Sequence, residues 1–170
     1  MQLSCRLLRA RKCKVCVSTA GVGPGSLEQR DREAIVESLR ERGLRLTVQR
    51  EAVCEAVFNC AGHICAEHIL IAVSAGHPRL RMNKTTVYRT LDLLIDLGLV
   101  TEHKCGDGRA QYEPASRGRH SHMICRECGV LMDMDPELAV GISNGLRNRH
   151  GFRVDLESYP VFGVCPSCGG

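Results

Sequence analysis

The chain has 170 residues, of which 44% are hydrophobic, and its formal net charge is +4. This length suits one or two small domains, and no apolar run approaches the roughly 18 residues of a membrane-spanning helix, so we expect no membrane partner. The basic excess lies in the first 24 residues, which hold five bases and no acids, and the other 146 residues carry 18 bases against 19 acids. Bulk charge therefore does not by itself indicate a nucleic-acid partner.

The cysteine content indicates the compartment. Eleven cysteines would suit a secreted disulfide protein, but Arg and Lys residues interrupt any signal-peptide apolar stretch at the N-terminus. We therefore expect a cytoplasmic chain whose cysteines are free or bound to metal. Residues 1–26 are predicted to form a flexible basic arm. The unpartnered CxxC pair of Cys13 and Cys16 is interpreted as part of that arm, with a metal site as the alternative.

Four helices are predicted next, because apolar residues recur at helical spacing from Leu27 onward. The first ends at Gly43, Thr47 caps the second, and Asn83 caps the fourth, which stops at Gly98. The third covers residues 65–75. Two extended segments, 99–104 and 109–113, then flank a Gly-Asp-Gly turn and predict a β-hairpin.

This order of elements is typical of a winged helix-turn-helix, in which the fourth helix reads DNA and the hairpin is the wing. Arg and Lys suit phosphates and guanine edges, while Thr and Tyr reach phosphates or thymine methyls. The predicted DNA contacts are Arg45, Arg50, Asn83, Lys84, Thr85, Thr86, Tyr88 and Arg89. Two alternatives remain: this modest basic patch is an ordinary solvated surface, and Tyr88 is a half-buried core aromatic.

The remainder predicts a small α/β domain, so the fold class is α+β. Strands are expected at residues 120–125 and 130–134 and at 152–162. Asp135-Pro136 is a preferred start for the helix between them. Its predicted inward residues are Leu138, Ile142 and Leu146. The predicted domains are a DNA-binding domain at 27–114, a hinge at 115–119, and a dimerisation and metal-binding domain at 120–170.

Two CxxC pairs give the strongest signal in the chain. The first is Cys125 with Cys128 and the second is Cys165 with Cys168, and a glycine follows each pair. Four thiolates from two such turns form a closed tetrahedral site, which indicates a structural zinc rather than a catalytic one. A thiol–disulfide redox pair is the alternative from another class of protein.

His120 and His122 indicate a second metal. On a strand, residues two apart share a face, so both imidazoles could reach one ion. Glu113 and Asp133 flank them. Imidazoles with carboxylates form a harder donor set than four thiolates and suit Fe(II), Mn(II) or Zn(II), although surface histidines on a strand are also common without a metal.

Together these residues resemble the ferric uptake regulator (Fur) family of bacterial metal-dependent repressors. The resemblance covers residues from about 33 to 168 and rests on the segments GLRLTVQR (43–50), HICAE (63–67), TVYR (86–89) and HSHMICRECG (120–129). It implies a homodimer that binds an inverted-repeat operator in double-stranded DNA. It also implies a further ligand, His63, so that the expected regulatory set is His63, Glu113, His120, His122 and Asp133.

Departures from the family pattern leave the sensed metal open. Arg119 and Ser121 stand where many members carry ligands of a third metal site, so we expect that site to be absent. Iron-sensing members usually have Glu at both carboxylate positions and peroxide-sensing members Asp, whereas this chain has Glu113 and Asp133. Iron is the first expectation, with peroxide, manganese or zinc sensing as alternatives. We see no nucleophile–base pair, phosphate loop or cofactor fingerprint, so neither an enzyme nor a small-molecule substrate is expected.

Overall fold

The computed structural model describes residues 26–104 and 110–169, which divide into two compact units. The N-terminal unit comprises residues 26–104 and 110–117, and the C-terminal unit comprises residues 118–169. The predicted arm, its CxxC pair and the Gly-Asp-Gly turn lie outside the described residues. Among the helices that are described, none is long and apolar enough to cross a membrane.

The N-terminal unit contains four helices, a hairpin and a short 3-10 helix. These elements are α1 (Gln29–Glu41), α2 (Val48–Phe58), α3 (Ala66–Gly76), α4 (Lys84–Asp96), β1 (Val100–Lys104), β2 (Ala110–Pro114) and the 3-10 helix Ala115–Arg117. The predicted caps are confirmed, because the Thr47 side chain accepts a hydrogen bond from the Arg50 N–H and the Asn83 side chain accepts one from the Thr86 N–H. Gly98 follows α4 with a φ of +69°, which favours glycine.

One apolar core holds this unit together. It is formed by the inner faces of all four helices together with residues of the hairpin, and its fully buried side chains include Ile35, Leu39, Val53, Val57, Ile69, Val87, Leu91 and Leu94. The hairpin is antiparallel, with His103 opposite Gln111 and Thr101 opposite Glu113. An isolated bridge joins Ile64 to Tyr112 through hydrogen bonds of 2.9 and 2.8 Å, so the segment before α3 lies against β2.

The C-terminal unit contains a three-stranded sheet and two helices. Its elements are β3 (His122–Cys125), β4 (Leu131–Asp133), α5 (Pro136–His150), β5 (Val161–Gly163) and α6 (Pro166–Gly169). The strand order is β4-β3-β5, with β4 antiparallel and β5 parallel to β3. Asp135 caps α5 as predicted, accepting hydrogen bonds from the N–H groups of Glu137 and Leu138. Helices with small sheets make the chain α+β.

Three predictions for this unit were wrong. Strand β3 begins at His122, so His120 precedes it. The predicted strand at 152–162 is reduced to Val161–Gly163, because only these residues pair with β3. The predicted inward face of α5 is not buried: no residue of α5 is buried and Leu138 is 52% exposed. The buried apolar residues of this unit belong to the sheet and the cysteine loops instead.

Candidate metal centres

The four predicted cysteines come together in the C-terminal unit. Cys125 ends β3 and Cys128 lies in the following turn, while Cys165 immediately precedes α6 and Cys168 lies within it. Their sulfur atoms all lie within 4.8 Å of one another, and none of the four cysteines forms a disulfide. Gly129 has a φ of +73°, and its N–H donates to the Cys125 carbonyl at 2.9 Å, which closes the first turn. Four convergent sulfurs fit a tetrahedral zinc.

The electrostatics of this cluster favour a cation. Backbone N–H groups of Cys128 and Cys165 lower the pKa of Cys125 to about 6, and the Cys165 N–H lies 3.3 Å from its sulfur. Hydrogen bonds with the Cys165 and Cys128 thiols raise the pKa of Cys168 to about 12. These hydrogen bonds favour the thiolate form of Cys125 and the protonated form of Cys168. A soft divalent cation would offset the charge of the remaining thiolates as they lose their protons.

A second cluster lies within the N-terminal unit. Glu113 is buried, and its Oε2 lies 3.4 Å from His63 Nε2, while its Oε1 lies 2.7 Å from His103 Nε2. The bridge between Ile64 and Tyr112 positions His63 beside Glu113, because each is adjacent to one bridge residue. Arg117 Nη1 also contacts Glu113 Oε2, at 2.7 Å. Two imidazoles and a carboxylate therefore converge at one point.

The third cluster lies within the C-terminal unit and contains His120, His122 and Asp133. His122 and Asp133 are direct partners across β3 and β4, with Nε2 and Oδ1 separated by 3.9 Å. His120 Nε2 lies 3.2 Å from the same Oδ1, and His120 Nδ1 lies 3.1 Å from the Gly118 carbonyl oxygen. The ring centroids of His120 and His122 are 4.3 Å apart. His120 therefore joins His122 through its loop and not through strand alternation.

Two residues of these clusters were missed by the sequence argument, His103 and Arg117. The register was the available signal for His103. In an antiparallel hairpin, the residue two positions beyond a direct partner shares its face and lies diagonally across. His103 is opposite Gln111, so Glu113 is that diagonal neighbour.

The predicted DNA contacts lie around the start of α4, just before α2 (Arg45) and in the first turn of α2 (Arg50). Tyr88 is 41% exposed and outside the core, which argues against the core-aromatic interpretation. Lys84 Nζ lies 3.1 Å from Glu67 Oε1 on α3. Burial raises the pKa of Glu67, but the hydrogen bond from Lys84, the backbone N–H of Glu67 and the positive charge of Lys84 together outweigh burial, and the net pKa is lowered. The Arg50 guanidinium donates to the Arg45 carbonyl at 2.6 Å, which links two of the predicted contacts.

Comparison with known proteins identifies the family. The model of the ferric uptake regulator family matches residues 41–158, more than half of the chain. The chain belongs to the ferric uptake regulator family. A ferric uptake regulation protein of Campylobacter jejuni is 30% identical over 136 residues, covering 80% of this chain and 87% of that protein. A peroxide operon regulator of Bacillus subtilis is 31% identical over 133 residues, covering 78% and 90%.

A solved structure of the Fur protein of Helicobacter pylori matches with a TM-score of 0.66 and 22% identity, covering 86% of this chain and 97% of that one. That likeness shows the shared Fur fold. Members of the Fur family are metal-responsive transcriptional regulators rather than enzymes, and they bind DNA as dimers. The family match ends at residue 158 and does not include Cys165 or Cys168. Their assignment to the metal site therefore depends on the geometry of the four sulfur atoms.

Proposed function

We propose that this chain is a homodimeric, metal-dependent repressor that binds an inverted-repeat operator when a divalent metal, iron first, occupies its regulatory site, and that it represses metal-uptake genes. The observation that carries the proposal is the pair of histidine–carboxylate clusters, one in each unit. His63 and Glu113 belong to the N-terminal unit, and His120, His122 and Asp133 to the C-terminal unit. We propose that one ion takes ligands from both sets.

The donor atoms support a sensor of a borderline or hard metal. Imidazole nitrogens and carboxylate oxygens suit Fe(II), Mn(II) and Zn(II) and contrast with the four sulfurs of the other cluster. Iron is proposed first, and the similarity to a ferric uptake regulation protein supports it. The similarity to a peroxide operon regulator keeps peroxide sensing as the second candidate, and manganese or zinc sensing follows from the same donor set.

The four cysteines are proposed to hold a structural zinc. Closed four-sulfur sites stabilise folds and leave no open position for a substrate. A thiol redox protein is the candidate from another class, and it requires the thiols to cycle between reduced and disulfide forms. Quantifying zinc before and after mild oxidation separates the two: retained zinc supports the structural role, and loss with disulfide formation supports the redox one.

DNA binding is proposed for the N-terminal unit as a winged helix-turn-helix, with α4 in the major groove and the β1–β2 hairpin as the wing. Exposed polar side chains at the start of α4 support this assignment, and Asn83 fixes that start. Dimerisation is proposed for residues 120–170, joined by the hinge at 115–119. The exposed apolar side chains Leu138, Val140 and Phe162 support a protein partner there, and a two-fold dimer matches two half-sites.

Regulation then follows from shared ligands. An ion that needs both sets binds best in the conformation that presents both, and it shifts the population toward that conformation. If operator DNA prefers the same conformation, each ligand strengthens the binding of the other by one common factor. The structural zinc should not respond to metal supply, because its four ligands lie in one unit.

The test is operator binding by the zinc-loaded protein, measured by fluorescence anisotropy with Fe(II), Mn(II) or Zn(II) or with no added metal. We expect operator binding only with an added divalent metal, and we expect His122→Ala to abolish this metal-dependent binding. His150→Ala is the matched control, because His150 is exposed at the end of α5 and outside the clusters. Equal operator binding with and without metal would contradict the proposal.

Peroxide sensing has its own readout. Mass spectrometry of the Fe(II)-loaded protein after peroxide exposure should show an added oxygen on His63 or His120 if the chain senses peroxide. An unmodified protein that still releases DNA on iron chelation supports plain metal sensing.

A further inference from the structure

Glu113 is the most heavily engaged carboxylate of the N-terminal unit. Its side chain is 3% exposed, and both oxygens have cationic or imidazole partners: His103 on Oε1 at 2.7 Å, and Arg117 and His63 on Oε2 at 2.7 and 3.4 Å. A buried carboxylate is costly without compensating charge. Arg117 supplies a permanent positive charge, since a guanidinium stays protonated in proteins.

His103 gives this cluster a third potential metal ligand beside His63 and Glu113. His63, His103 and Glu113 each offer a ligand atom, and these atoms lie within 4.8 Å of one another. An ion with bonds of about 2.0–2.2 Å places its ligand atoms roughly 3–3.5 Å apart, so the present spacings need only small side-chain movements. Two histidines and one carboxylate are also a common donor set for Fe(II).

We propose that His63, His103 and Glu113 form a divalent-metal site within the N-terminal unit, and that the Arg117 guanidinium holds the Glu113 carboxylate until the ion displaces it. This deepens the proposed function, on which it rests for the identity of the metal class. It adds His103 as a ligand and Arg117 as an internal competitor. Neither residue belongs to the regulatory set expected from the sequence.

Displacement of Arg117 from Glu113 by an ion would affect the segment that carries Arg117. Arg117 ends the 3-10 helix Ala115–Arg117 and is the last residue of the N-terminal unit. Its side chain is 29% exposed, so the guanidinium can move into water when an ion replaces it at Glu113. Loss of this contact removes one side-chain restraint on the 3-10 helix that ends at Arg117.

The test uses the full chain with its structural zinc in place and Co(II) as the probe, because its visible absorption reports ligand type and number. His103→Leu should weaken Co(II) binding by about tenfold to a hundredfold, the usual effect of losing a group that binds or orients a metal ligand. Arg117→Gln should tighten it by about tenfold, since a charge-assisted hydrogen bond no longer competes. His77→Gln and Arg119→Gln are the matched controls and should leave the affinity unchanged.

A second background isolates the N-terminal site. With both His120 and His122 replaced by Ala, the proposed joint set is lost, and we expect one weakly bound Co(II) that disappears when His103→Leu is added. His103→Gln retains a hydrogen-bond donor for Glu113 and keeps the test valid if the Leu variant fails to fold.

The outcomes separate this inference from the proposed function. Unchanged Co(II) affinity and spectrum in the His103 variants would overturn the inference, even if His122→Ala abolishes metal-dependent DNA binding. Weakened Co(II) binding in the His103 variants would support it, even if operator binding proves independent of metal.

Discussion

Removal of the four-cysteine metal should unfold the C-terminal unit while leaving the N-terminal unit intact. The perturbation we choose is Cys168→Ser. Cys168 lies in the four-residue α6 near the end of the chain and is only partly buried, so the substitution disturbs packing little and mainly removes one metal ligand.

The magnitude follows from how little else holds this unit. In the described part of the C-terminal unit, the buried apolar side chains are the two proposed zinc ligands Cys125 and Cys165 with Ile124, Val130, Leu131 and Met134. Structural zinc contributes about 10–16 kcal/mol in zinc-finger peptides, while a whole domain is stable by only about 5–15 kcal/mol. Shared equally over four ligands, the zinc contribution is about 2.5–4 kcal/mol per ligand, so loss of Cys168 should cost the unit about that much.

Hydrogen exchange measured by mass spectrometry resolves the two units. We expect the amides of β3 to lose protection in Cys168→Ser, and equally in wild-type protein treated with a strong chelator, while α2 and α4 keep theirs because their core is separate. Cys60→Ser is the control, a partly buried thiol of the N-terminal unit, and should leave β3 protected. Unchanged β3 protection after both ligand removal and chelation would refute the reasoning.

Four further predictions concern the N-terminal unit. Asn83→Ala should lower the free energy of unfolding by about 1 kcal/mol in urea titrations, and Asn83→Ser, which can still cap α4, should cost clearly less. Leu91→Ala removes a fully buried side chain and should cost about 2–5 kcal/mol, whereas Val48→Ala at an exposed position should stay within about 0.5 kcal/mol. Glu67→Gln should release Lys84 for DNA phosphates, so operator affinity should rise and the salt dependence steepen by about one counterion; an unchanged salt slope would show that Lys84 does not contact phosphate. Because the folded pKa of Glu67 is lowered, its contribution to stability is present at neutral pH and is lost as the pH falls through that lower value, which a carboxyl NMR titration would detect.

Local chemistry made the helix starts predictable. Thr47, Asn83 and Asp135 each cap a helix through their own side chains, and such caps depend on residues two or three positions away. The cysteine cluster was predictable for a similar reason, because two CxxC turns carry their geometry with them and four sulfurs have one simple common use.

Long-range pairing was not predictable in the same way. The bridge between Ile64 and Tyr112 joins residues 48 positions apart, and no local pattern indicates it, so the approach of His63 to Glu113 came only from the family resemblance. His103 was missed because its approach to Glu113 depends on the hairpin register, which pairs His103 with Gln111. The stripe on α5 was recognised as apolar, but periodicity does not say whether this chain or a partner covers it.

Thermodynamic linkage tests the central claim that metal and DNA select the same conformation. Isothermal titration of the zinc-loaded dimer with Mn(II), a stand-in for Fe(II) that resists oxidation, would give the metal affinity with and without saturating operator DNA. We predict that the operator tightens metal binding by the same factor by which the metal tightens operator binding, and that His122→Ala removes both effects together. An identical metal affinity with and without operator would contradict the account.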